Sequence, residues 1–173
     1  MRKDEMVSDP MEFLLRMVLI GVGATVVLDL WTLFAKRVLG MSGPDWAMVG
    51  RWIGHLPRGR FRHDNMAAAA PVRGERLLGW SAHYAIGIVF AGLLLMVWGL
   101  DWAYRPTLPP ALIVGLLTLA APFFILQPGM GAGIAASKTP KPNMARLRSL
   151  VAHTVFGIGL YVAALLTAMP IRL

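Results

Sequence analysis

The sequence predicts an all-α, polytopic membrane protein with four transmembrane helices, and three observations carry that prediction. Of its 173 residues, 57% are hydrophobic and only 15% charged, and mean hydropathy is +0.61, more apolar than an ordinary soluble domain. Four apolar runs, 13–34, 77–100, 110–127 and 150–169, are each long enough to cross a hydrocarbon layer. Lys and Arg gather in two of the three connecting loops, the bias that separates cytoplasmic from external loops. The length leaves room for one four-span domain over residues 1–173 with one sizeable loop, and none for a separate soluble domain. Cysteine is absent, which excludes disulfides, thiolate catalysis and Cys-ligated clusters.

The first run is read as a retained span. Its apolar stretch is longer than a signal-peptide core, and Leu33-Phe34-Ala35-Lys36-Arg37 offers no small-x-small cleavage pattern. The loop 35–76 carries Lys36, Arg37, Arg51, Arg58, Arg60, Arg62, Arg73 and Arg76. Within it, Ser42-Gly43-Pro44-Asp45 resembles a capped helix start, and Trp46, Val49, Ile53 and Leu56 follow at helical spacing. A short amphipathic helix lying in the interface is expected, with Arg51 and His55 on its wetter side and Pro57 ending it. Arg58, Arg60 and Arg62 then serve as topology determinants or as ligands for anionic lipid headgroups.

The second run leads to the loop 101–109, whose one basic residue is Arg105. Pro122 interrupts the third run, so a kink is expected over 118–122. The loop 128–149 begins with the glycine-rich stretch Gly129-Met130-Gly131-Ala132-Gly133 and carries Lys138, Lys141, Arg146 and Arg148. The charge bias puts 35–76 and 128–149 in the cytoplasm and both termini outside; the acidic Asp4, Glu5, Asp9 and Glu12, against Arg2 and Lys3, do not oppose this. The same bias accounts for the isoelectric point near 10.9. With no stacking motif of aromatic and basic residues, no nucleic-acid partner is expected.

Ionisable groups within hydrocarbon are costly and usually face a bundle interior or a cavity. Asp29, His83 and His153 lie in the apolar runs, each on a four-residue stripe of small or polar side chains: Gly21, Thr25 and Asp29; Gly79, His83, Gly87 and Ala91; Ser149, His153, Gly157 and Tyr161. Small-residue stripes are where membrane helices approach closely. Each ionisable group also lies about one to two turns from the cytoplasmic boundary. The expectation is that all three converge on one polar site, with Gln127, Met130, Tyr84 and Tyr161 as secondary contributors.

Several occupants fit that trio. Two imidazoles and a carboxylate suit a divalent transition metal; His83 and His153 would suit a single b-type haem; and an Asp and His pair can relay protons. Interhelical hydrogen bonds that only hold the bundle together need the same residues, as would a structural or accessory subunit packing against a membrane-protein partner or a second copy. No His-Glu-x-x-His, nucleophile elbow or phosphate loop is present, so an enzyme is not expected.

Asp29, Gly79-Trp80-Ser81-Ala82-His83-Tyr84, Gln127-Pro128-Gly129-Met130-Gly131 and His153 together resemble a family of small bacterial inner-membrane proteins of unknown function. The resemblance covers most of the chain from the first span onward. It implies a bacterial inner-membrane location and the four-span architecture, and no activity.

Overall fold

The computed structural model describes residues 10–41 and 43–168, and among them regular structure is helical throughout. The N-terminal Asp4, Glu5 and Asp9, the Ser42 of the expected cap and Met169 at the end of the fourth run lie outside the described residues. The chain forms α1 (Pro10–Val38), α2 (Trp46–His55), α3 (Glu75–Tyr104), α4 (Leu108–Leu117), a π turn (Pro122–Leu126), α5 (Gln127–Gly129) and α6 (Pro142–Leu166). Four helical stretches are long and apolar enough to cross a membrane: Pro10–Val38, Glu75–Tyr104, Leu108–Gly129 and Pro142–Leu166. Each coincides with a predicted run.

The spans extend past the apolar runs because their ends have their own chemistry. Pro142 occupies the first turn of α6, where a missing N–H costs nothing. The start of α2 is capped by Asp45, whose carboxylate accepts from the N–H groups of Ala47 (2.9 Å) and Met48 (3.4 Å). Pro57 follows α2 as expected, inside a 3₁₀ turn over Leu56–Arg58. Gly99, at φ +76°, breaks α3 near the end of the predicted second span, and one further turn runs on to Tyr104. Only glycine adopts that conformation without strain.

Neighbouring spans run antiparallel in the order α3, α1, α6, α4. Glycines set each crossing. A Cβ on Gly21 would collide with the backbone of Gly87 and Ile88 in α3; one on Gly159 would sit 2.9 Å from Ala24 O in α1; one on Gly115 would sit 2.7 Å from Gly157 Cα. Helices approach this closely only where side chains are absent. The apolar core lies between these crossings, around Ile20, Ala24, Leu94, Leu95, Val114, Phe156 and Leu160. An edge-to-face ring contact of Phe90 with Phe156 (6.2 Å) links α3 to α6 across the middle.

The short helix α2 is held against α3 rather than merely resting on it. A Cβ on Gly50 would overlap Glu75 O, and one on Gly79 would overlap Trp46 O, so backbone lies on backbone. Arg51 fastens the arrangement. Its guanidinium donates to both Glu75 carboxylate oxygens (2.8 and 2.7 Å) and to the carbonyls of Met66, Ala67 and Ala69. Those bonds to Glu75 hold the guanidinium above even its usual high range. One expectation fails here: His55 is 1% exposed, not on the wet side of α2. Amphipathic spacing identified the apolar stripe of α2, which packs on α3 through Trp46 and Val49, but α2 also buries His55 under its own loop.

Candidate functional site

The α1–α3 crossing brings Asp29 and His83 together. Going down the interface, Gly21 meets Gly87, Thr25 meets Gly87, and one turn further Asp29 meets His83. His83 Nε2 lies 2.9 Å from Asp29 Oδ1, and the Tyr84 hydroxyl donates to Asp29 Oδ2 at 2.9 Å. Both carboxylate oxygens are therefore engaged by α3. The imidazole is 7% exposed and the carboxylate 25%, so the pair sits at the rim of the bundle with its acid toward the open side.

Aromatic rings from two elements surround His83. The Trp46 ring, from the first residue of α2, stacks on the imidazole with centroids 3.9 Å apart and planes 25° apart. Trp80 and Tyr84 meet it edge-on at 5.7 and 5.5 Å. Trp46 reaches that position because the Gly50 and Gly79 contact lets α2 lie close to α3. The result is an imidazole held by a carboxylate at Nε2 and roofed by an indole.

His153 is elsewhere. It lies at the same level of the bundle: Asp29 is about 7 Å beyond the Ala24 and Gly159 crossing along α1, and His153 about 9 Å from it along α6. Laterally it faces α4. Its Nδ1 lies 3.0 Å from Thr118 Oγ1 and 3.2 Å from Gly115 O, while the Thr118 hydroxyl donates to Gly115 O at 2.7 Å. The reason is local. Ahead of Pro122 the third span loses its regular ladder, and the Leu119 N–H turns to Leu116 O rather than Gly115 O. Gly115 O is thereby freed, and Thr118 and His153 supply its donors.

The expected convergence of Asp29, His83 and His153 is thus corrected to a pair plus a separate histidine. Stripes at a spacing of four identify a helix face without saying which neighbour covers it. Helix α6 has two small-residue faces, Gly157 against α4 and Gly159 against α1, and His153 shares the Gly157 face. The same separation parts the two proposed haem ligands. Among the described residues, no group of three or more His, Asp or Glu side chains is placed to hold a metal ion. Exchanging His153 for Phe should cost about 1 kcal/mol of stability, the worth of one interhelical hydrogen bond, and leave the Asp29–His83 pair unaltered by histidine NMR.

The secondary candidates divide similarly. Tyr84 joins Asp29, whereas Tyr161 packs against the apolar core. The Gln127 amide donates to Ser149 Oγ at 3.4 Å, between spans three and four, and its Oε1 is buried without a hydrogen-bond partner among the described residues. The Met130 N–H closes the end of the third span on Leu126 O, and Arg58, Arg60 and Arg62 are exposed on the loop after α2.

Sequence reasoning missed a second polar cluster at the opposite end. Arg16, 0% exposed, donates to Glu12 Oε1 (2.8 Å) and to Thr167 O at the end of α6 (2.7 Å). Its guanidinium also lies 4.3 Å from the Tyr104 ring centroid. The Tyr104 hydroxyl donates to Glu12 at 2.5 Å. An arginine four residues into the first apolar run was the available signal.

A family model described as a protein of unknown function (DUF2938) matches residues 18–167. The chain belongs to that family. The DUF2938 match contains Asp29, His83, Tyr84, Trp46 and His153, and begins just after Glu12 and Arg16. No match is found among curated proteins or among solved structures. Membership agrees with the expected family of unknown function and supplies no activity of its own.

Proposed function

We propose that the protein is a multi-pass inner-membrane protein whose Asp29–His83 pair is a proton-exchange site opening to the cytoplasmic side. The observation that carries this is the contact of His83 Nε2 with Asp29 Oδ1 at 2.9 Å, made between two helices long and apolar enough to cross a membrane. Ionisable pairs at such positions are costly and tend to serve proton or ion handling. A carboxylate and an imidazole in hydrogen-bond contact exchange one proton without either moving, and Tyr84 fixes the carboxylate's orientation.

The cytoplasmic assignment rests on charge. The end of the bundle bearing Asp29 also bears Arg58, Arg60, Arg62, Arg73, Lys138 and Lys141. The exposed Arg58, Arg60 and Arg62 would meet anionic lipid headgroups there. In the other direction the route closes. Between residues 17 and 28 of α1 the one polar side chain is Thr25, which bonds back to Gly21 O, and residues 85–100 of α3 offer no ionisable group. Exchange with one side is therefore favoured over a continuous transmembrane path.

A metal centre is less well supported, because Asp29 Oδ1 is engaged by His83 Nε2 and Oδ2 by the Tyr84 hydroxyl, and no third ligand is near among the described residues. The test is an infrared titration of the purified protein between acid and neutral pH. A carboxylate and imidazole signal is expected that disappears in Asp29→Asn and in His83→Gln and persists in His153→Gln. An identical titration in all four proteins would remove the proposal.

A further inference from the structure

The loop after α2 folds back through a histidine pair that no function above uses. His55, the last residue of α2, and His63 are in contact, Nδ1 to Nε2, at 2.8 Å, with rings stacked at 4.9 Å and 29°. One ring is anchored on α2 and the other on the end of span three. The His63 backbone N–H donates to Gly129 O at 2.9 Å. Gly131, at φ +92°, packs against the backbone of His63 and Asp64, closely enough that a Cβ would overlap Asp64 O. Trp52 completes the seam: its indole N–H donates to Phe61 O at 3.0 Å and its ring covers Gly129.

We infer that the His55–His63 contact is an acid-sensitive clasp that fastens α2 and the segment 59–66 to the cytoplasmic end of span three. An N–H to N bond between imidazoles needs one bare nitrogen, so it forms when the pair carries no extra proton or one. A second proton puts N–H against N–H and two positive charges side by side. Geometry sharpens this, because a fully protonated His63 would also carry a proton on Nδ1, which is buried with no hydrogen-bond partner among the described residues.

The charged groups around the pair do not relieve that conflict. Glu75 on α3 feels the charge of His55, but its carboxylate is bonded to Arg51, itself a cation on α2. Arg60, Arg62 and Asp64 flank His63 on the loop with exposed side chains, and the facing stretch of span three, residues 127–136, has no ionisable residue. The sign follows: the clasp is closed while the pair carries at most one extra proton and opens as falling pH adds the second. Because Trp46 roofs His83 from the other end of α2, loosening this helix would uncover the Asp29–His83 pair. The clasp itself stands or falls independently of any proton held there.

Hydrogen exchange of the full chain in detergent or nanodiscs tests it, at pH 7.5 and pH 5 after correction for intrinsic rates. In wild type, amides of 59–66 should lose at least tenfold in protection at the lower pH. In His63→Phe, which keeps a stacked ring but cannot titrate, protection should not depend on pH. His63→Gln, a polar and non-titrating alternative, serves if the Phe variant does not fold. No loss in wild type, or the same loss in the variant, overturns the clasp.

Discussion

Replacing Gly79 with alanine is expected to strip α2 from the bundle. The added methyl group has no space, because the backbone carbonyl of Trp46 occupies it, and backbone cannot yield as a flexible side chain can. Overpacking of this kind costs about 1–3 kcal/mol in cores where side chains can adjust, and more where they cannot. The Trp46 stack on His83 should be lost with the contact. Unfolding in detergent micelles would read the stability loss, and exchange protection of residues 46–55 would read the detachment. Gly50→Ala, whose Cβ would strike Glu75 O, should behave alike. Unchanged protection of α2 in both variants would mean that the two helices are not held in the manner described.

The second large effect is expected at the ionisable pair. Asp29→Leu leaves a nearly buried imidazole and the Tyr84 hydroxyl without their acceptor, and removing one partner of a buried pair costs about 3 kcal/mol or more. His83→Leu leaves the carboxylate without one of its donors, at a smaller cost because Asp29 retains partial exposure and Tyr84. The double variant Asp29→Leu, His83→Leu should be more stable than the sum of the singles, by a coupling of about 1–3 kcal/mol. Additive losses in an unfolding cycle would show that the two side chains do not interact. Tyr84→Phe provides the control, removing one hydrogen bond of about 1 kcal/mol and no charge.

Much of this architecture was legible because it rests on one-dimensional signals. Twenty-residue apolar runs mark spans wherever the solvent is hydrocarbon, and Pro122 announced the break in the third span. The stripe Gly21, Thr25 and Asp29 meets His83 and Gly87 of the second stripe, while Gly79 meets α2 instead, since close-approach faces must meet something close. The third stripe went astray. His153 shares a face with Gly157, but a helix with two small-residue faces can turn either toward a given neighbour, and here the carbonyl freed ahead of Pro122 recruits the histidine. Arg16 and the His55–His63 contact escaped notice for a related reason: each is satisfied by groups distant in sequence, Thr167 O in one case and a folded-back loop in the other.

By itself the sequence determined the all-α class, the four apolar runs and the short helix after the first of them, because hydrophobic length and helical period are properties of the chain alone. Only the tertiary structure decided which helices are neighbours. That choice, made by glycine contacts between backbones, pairs Asp29 with His83, sends His153 to the third span and buries His55 under its loop. Side-chain chemistry can be read along a chain, but whether two groups lie 3 Å apart depends on packing between segments far apart in sequence.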